Sequence, residues 1–189
     1  MARFDYNQRE QLRRVQFYVS RVCNNDCVFC IDDDWKAAHP ESRGDAIPAR
    51  VLETREGREV PELMLALDDV EAFLADHDRR TEIAITGPDP GTCGVLEDYV
   101  RRVRGLGFEQ IALVSNGRTL ARGDRAQRLV DAGITHFELS IHGHDPATHD
   151  AASRRRGSFE QTIAGIRAAL AARNLAAAEV RVETISVIY

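Results

Sequence analysis

Short apolar runs alternate with amphipathic stretches along most of this chain, and that alternation limits the possible folds more than any other feature. Strands are predicted at 14–20, 82–86, 111–115, 136–141 and 180–188, where β-branched and aromatic residues cluster. Helices are predicted at 67–78, around Leu96–Val103, at 120–132 and from Ser158 onward. In the first, Val70, Phe73, Leu74 and His77 recur at the spacing of one buried face. In the second, Leu96, Tyr99, Val100 and Val103 do so. Gly105 with Gly107, and later Gly133, are expected helix stops. Ser158 with Gln161 forms a capping-box pattern that opens the last helix. Residues 31–62 carry Pro40, Gly44, Pro48, Gly57 and Pro61, and read as a long loop with at most a helical turn. Strand–helix repetition with nearly continuous apolar strands predicts a parallel sheet covered by helices, an α/β architecture.

A chain of 189 residues can bury a real core within one domain. The net charge of −5 argues against a broad nucleic-acid footprint. No run approaches the roughly 20 apolar residues that span a bilayer, and the polar N-terminus lacks a signal core, so the expected compartment is the cytoplasm.

In parallel sheets of this kind, chemistry sits on the loops after the carboxyl ends of the strands. Each unusual motif falls there. After the first strand come Cys23, Cys27 and Cys30, spaced C-x3-C-x2-C. A zinc site would want a fourth ligand, and a disulfide suits neither the compartment nor an odd trio. Three thiolates on one loop suit an iron–sulfur cluster with one iron lacking a protein ligand. After the second strand comes Gly87-Pro88-Asp89-Pro90, a turn that brings backbone carbonyls and one carboxylate together. Asn116-Gly117 ends the third strand, either a plain turn dipeptide or a site element. Ser140-Ile141-His142-Gly143-His144-Asp145 follows the fourth.

On these motifs the chain resembles the radical S-adenosylmethionine (SAM) superfamily, whose hallmark is this cysteine loop after the first strand of a partial (β/α)6 barrel of TIM type. The resemblance implies that Cys23, Cys27 and Cys30 bind three irons of a 4Fe–4S cluster, with SAM chelating the fourth. It implies a radical SAM enzyme, in which reductive cleavage of SAM yields a 5′-deoxyadenosyl radical that abstracts hydrogen. Phe29 matches the family's aromatic residue near the adenine of SAM. Gly87-Pro88-Asp89-Pro90 stands where the family carries Gly-Gly-Glu-Pro. Pro88 and the shorter Asp89 are departures that put the carboxylate contact to SAM in question. Asn116 and Ser140 match residues near SAM, and one of Arg154, Arg155 and Arg156 is a candidate for its carboxylate.

The family's barrel has six βα units, whereas the alternation here stops in a fifth strand. The expected organisation is an N-terminal extension at 1–13 and an incomplete core domain at 14–189, as in a truncated frame. A small electron donor such as flavodoxin or ferredoxin is the implied partner, and a peptide or small metabolite the substrate. Two rivals remain from the residues. One is a non-catalytic iron–sulfur electron carrier or degenerate fragment. The other is a metal-dependent hydrolase built on His142 and His144, with Asp145 and His149 assisting. Cys93 reads as a core thiol.

Overall fold

A computed structural model of the chain describes residues 14–18, 22–31, 51–53, 59–61 and 82–187. The predicted helix at 67–78 lies outside them. Five strands form one sheet: β1 (Arg14–Tyr18), β4 (Glu82–Thr86), β5 (Gln110–Ser115), β6 (His136–Ser140) and β7 (Arg181–Ile185), in that order and all parallel. Between β1 and β4, an antiparallel pair, β2 (Val51–Glu53) and β3 (Glu59–Pro61), replaces part of the predicted loop. Pro61 is tolerated because it stands at the end of a two-stranded ribbon, where a missing donor breaks little.

The register builds a row across the whole sheet: Phe17, Ile85, Leu113, Phe137 and Val182 are successive neighbours. With Ile83, Ile111 and Leu139 this row packs against the helices. From α1 (Leu96–Gly105) come Leu96, Tyr99, Val100 and Val103. From α2 (Arg125–Ala132) come Ala126 and Leu129, and from α4 (Ser158–Leu175) Ala169 and Ala172. The opposite face is unlike a core. Gln16, Ala84, Ala112, His136 and Arg181 form one row, preceded by Arg14, Glu82 and Gln110. Here Arg14 Nη1 lies 2.7 Å from Glu138 Oε1, and its Nε 3.6 Å from Glu82 Oε1.

Three helix expectations need correction. α2 begins at Arg125 rather than near 120, because residues 117–125 make successive tight turns, with Leu120, Arg122 and Arg125 each donating three residues back. Leu120 is still fully buried, so the apolar residue belonged to the core but not to the helix. A further helix, α3 (Pro146–Ser153), was not expected, since it has no apolar stripe of helical period. Its signal was local: Asp145 caps Thr148 N–H at 2.8 Å and Pro146 takes the first helical position. Last, Ser158 is not a cap. Gly157 precedes α4 at φ 78, and Asp150 of α3 accepts from Gly157 N–H (2.6 Å), the Ser158 hydroxyl (2.8 Å) and Phe159 N–H (2.9 Å). The preceding helix thus supplies the acceptors a capping box would have provided.

Candidate functional site

The cysteine loop follows β1 at the carboxyl-end rim of the sheet. Its spacer, Asn24-Asn25-Asp26, is anchored on two sides. Asp26 N–H donates to Ser153 O and Val28 N–H to Ala152 O, both at 2.9 Å, so the end of α3 carries the loop. On the other side the turn after β5 reaches in. Asn116 Nδ2 donates to Asn24 Oδ1 at 2.6 Å and lies 3.8 Å from Cys23 Sγ. Arg118 Nη1 donates to the Asn24 carbonyl and, at 2.9 Å, to Asn25 Oδ1. Its Nε donates to Gln161 Oε1 of α4 at 2.8 Å. Asn25 N–H points at Cys23 Sγ, 3.3 Å away. Cys23, Asn24 and Asn25 are buried, whereas Cys27 and Cys30 are half-buried and all three thiols are free of disulfides.

The turn after β4 is locked to the same loop. Gly87 has φ 132, a conformation open to glycine, and Pro88 is half-buried. Asp89 N–H donates to Val22 O at 2.9 Å. The Asp89 carboxylate is wholly buried, and Oδ1 accepts from Ser115 Oγ (2.6 Å) and Gly91 N–H (3.2 Å), capping a single 3-10 turn over Pro90–Thr92. Burial pushes its pKa up, against the pull of those bonds and of the Arg125 charge. The shorter side chain therefore ties β4 to β5. Thr119 Oγ1 completes the tie by donating to Gly91 O at 2.8 Å.

The end of β6 supplies the third wall. Ser140 is half-buried and shares the face of His136 and Glu138. Phe29 meets the His142 ring edge-on, with centroids 4.8 Å apart. His142 stacks on His149 at 5.8 Å, and His149 meets Phe159 edge-on. His142 N–H donates to His149 Nδ1 at 3.1 Å, which leaves the His149 proton on Nε2. Burial lowers both imidazoles, His142 further by its neighbour and His149 by the Arg118 charge against the pull of Asp150 and Glu160, so both are neutral at pH 7.

This arrangement does not build the hydrolase centre. The His144 side chain is 87% exposed, and Asp145 is spent on capping α3. Among the described residues, the trio whose ligand atoms all lie within 4.8 Å of one another is Glu82, His136 and Glu138, and the Arg14 guanidinium already bridges its two carboxylates. The three cysteines share one loop, and their C-x3-C-x2-C spacing suits an iron–sulfur cluster better than a four-ligand zinc site. Cys93 packs against the hydrophobic core, and burial raises its thiol pKa. Of the arginines after α3, Arg154 (φ 51) and Arg156 are exposed and Arg155 is half-buried.

Arg118 and the α3 carbonyls carry no motif that the sequence reading used. A signal was present nonetheless, since three polar residues confined between two cysteines must find partners once buried.

The cysteine trio and the loops after β4, β5 and β6 lie together on one rim of a helix-packed parallel sheet, the part of an α/β fold where active sites are built. The radical SAM superfamily profile matches residues 17–176, and the chain belongs to that superfamily. It is 30% identical over 168 residues to a GTP 3′,8-cyclase of Pseudomonas entomophila, covering 88% of this chain and 43% of that protein. It is 29% identical over 154 residues to an AdoMet-dependent heme synthase of Oleidesulfovibrio alaskensis, covering 82% of this chain and 34% of that one. The chain thus spans less than half the length of these curated relatives. Among solved structures, SuiB of Streptococcus suis bound to its precursor peptide SuiA superposes with a TM-score of 0.57 at 15% identity, covering 90% of this chain and 32% of SuiB. That likeness bears on the fold alone. The family implies an iron–sulfur cluster and SAM. No helix among the described residues is long and apolar enough to cross a membrane.

Proposed function

We propose that residues 14–189 form the radical-generating core of a cytoplasmic radical SAM enzyme, in which Cys23, Cys27 and Cys30 hold three irons of a 4Fe–4S cluster. The observation that carries this reading is the cysteine loop, held by α3, Asn116 and Arg118 on the rim where the other motif loops meet. Bound together, the cluster and SAM supply one-electron cleavage of the sulfonium and a 5′-deoxyadenosyl radical for hydrogen abstraction.

The chain's own residues then have distinct tasks. Phe29, braced by the His142 ring, offers an apolar face for the adenine. Gly87, Pro88 and Pro90 shape the turn whose carbonyls face the SAM amino group. Asp89 holds that turn in place through Ser115 and Gly91. Asn116 and Ser140 line the mouth from β5 and β6. Neutral imidazoles at His142 and His149 keep a like charge away from the sulfonium. The proposed reductant is flavodoxin or ferredoxin. The proposed substrate is a peptide or small metabolite, supported by the curated relatives that act on small molecules and by the peptide-bound structural neighbour.

The test is anaerobic reconstitution of the chain. Iron and sulfide near four each per chain and reductive formation of 5′-deoxyadenosine from SAM are expected, on the stoichiometry of the cluster type (about four of each). Cys23→Ala, Cys27→Ala and Cys30→Ala should each abolish the product. Product formation that survives any of the three would refute that ligand. Zinc without iron and sulfide would overturn the reading, as would a cluster whose spectrum ignores SAM.

A further inference from the structure

We propose that Arg118 is a positioning residue for the cysteine loop, and that its buried charge raises the reduction potential of the cluster held there. The inference rests on the cluster reading above. Arg118 is 7% exposed and belongs to the turn after β5, yet its guanidinium spans to the loop after β1. One nitrogen, Nη1, takes both the Asn24 carbonyl and the Asn25 side chain, the first two spacer residues between Cys23 and Cys27. The same plane is braced by Gln161 through Nε, and the Arg118 N–H is fixed by Asn116 Oδ1 at 3.0 Å. A planar fork can hold these partners at once, and an ammonium on a flexible stem cannot.

The spacer is what aims donors at the first sulfur. Asn25 N–H and Asn116 Nδ2 are the groups at 3.3 and 3.8 Å from Cys23 Sγ, and Asn116 is bonded to Asn24 in turn. Fixing Asn24 and Asn25 therefore fixes the polar environment of Cys23. Reduction adds one negative charge to a cluster without moving any atom of the chain's ligands. A cation and N–H donors beside the binding loop, screened little because they are buried, favour that reduced form. Both effects of Arg118 have the same sign.

The experiment compares the wild-type chain with Arg118→Lys and Arg118→Met. In the cluster-free proteins, hydrogen exchange is followed at the amides of Asp26 and Val28, which are bonded to α3. Both variants are expected to speed exchange there at least tenfold relative to amides of β5, because neither has the fork. In the reconstituted proteins, the midpoint potential is read by redox titration with electron paramagnetic resonance. Arg118→Met is expected to shift the one-electron equilibrium about tenfold toward the oxidised cluster, about 59 mV more negative. Arg118→Lys keeps the charge and should retain more than half of the wild-type stabilisation. Unchanged exchange at Asp26 and Val28 would overturn the positioning role. A wild-type potential in Arg118→Met, or an equal shift in Arg118→Lys, would overturn the electrostatic role. If Arg118→Met takes up no cluster, the lysine variant decides: the full tenfold shift in it counts against the charge. A wild-type chain that holds no iron or sulfide would overturn the cluster reading itself, which distinguishes that failure from a failure at Arg118.

Discussion

At the residue scale, Asp150 of α3 joins that helix to the start of α4. Burial works against its charge, but the amides of Phe159 and Gly157 and the Ser158 hydroxyl outweigh it and hold the carboxyl below the usual carboxylate range. The sign of the pH effect follows. A group depressed in the folded state binds fewer protons there than in the unfolded chain, so its contribution is present above the unfolded value of about 3.9 and fades as pH falls through the folded one. Asp150→Asn is expected to lower Tm by roughly 2–4 °C at pH 7, with the gap to wild type closing as pH drops toward 3. A gap that is constant across that range in thermal unfolding would show that the charge is not involved. Legibility at this scale was uneven. Cys23, Cys27, Cys30 and Phe29 stand out in the sequence because one contiguous motif holds them. Asp89, whose contact to SAM the sequence left in question, turns inward as a cap on Gly91 and a partner of Ser115, as its shorter reach allows. The polar spacer called for a partner, but Arg118 itself was not legible, since it lies 93 and 94 positions away from that spacer in the chain.

At the element scale, α4 seats directly on the turn after β5. Thr162 Oγ1 donates to Asn116 O at 3.0 Å, and a Cβ on Gly165 would come within 2.0 Å of Gly117 O. Two backbones touch there, with no flexible side chain to yield. Gly165→Ala would ordinarily help a helix by about 1 kcal/mol. Here it should destabilise by about 1–3 kcal/mol in urea unfolding, because the helix must lift off the turn. The same displacement moves Asn116 and Arg118, so cluster content after reconstitution should fall as well. A stabilised variant with normal cluster content would refute the contact. Sequence periodicity placed α4 correctly but could not show this face, because a glycine and a threonine give no apolar signal. It missed α3 for the same reason, and α3 proves to be the shelf beneath the cysteine loop.

At the scale of the whole molecule, the sheet is two-faced. The helix-covered side was predicted from its apolar rows. The other side carries a charged group, Arg14 with Glu82 and Glu138, joined by His136 at 3.5 Å from Glu138 and 3.3 Å from Glu183. Nearly continuous apolar strands gave no sign of a polar face, and the pairing across β1, β4 and β6 depends on register, which sequence does not supply. Removing one partner strands the other in a site of low exposure. Glu138→Ala should cost about 3 kcal/mol, whereas the paired change Arg14→Met with Glu138→Leu should recover more than half of that. Chemical denaturation of the three proteins measures the difference. A double variant as weak as the single would mean that the stranded Arg14 charge is not the source of the cost.

The shelf formed by α3 has a consequence for the order of synthesis. The thiols at 23–30 emerge from the ribosome early, but the carbonyls of Ala152 and Ser153 that seat their loop follow roughly 120 residues later. At typical elongation rates that is a delay on the order of ten seconds. During it, three reactive sulfurs are displayed on an unseated segment, open to oxidants and stray metal ions. The loop can take up its seat only after α3 has been made.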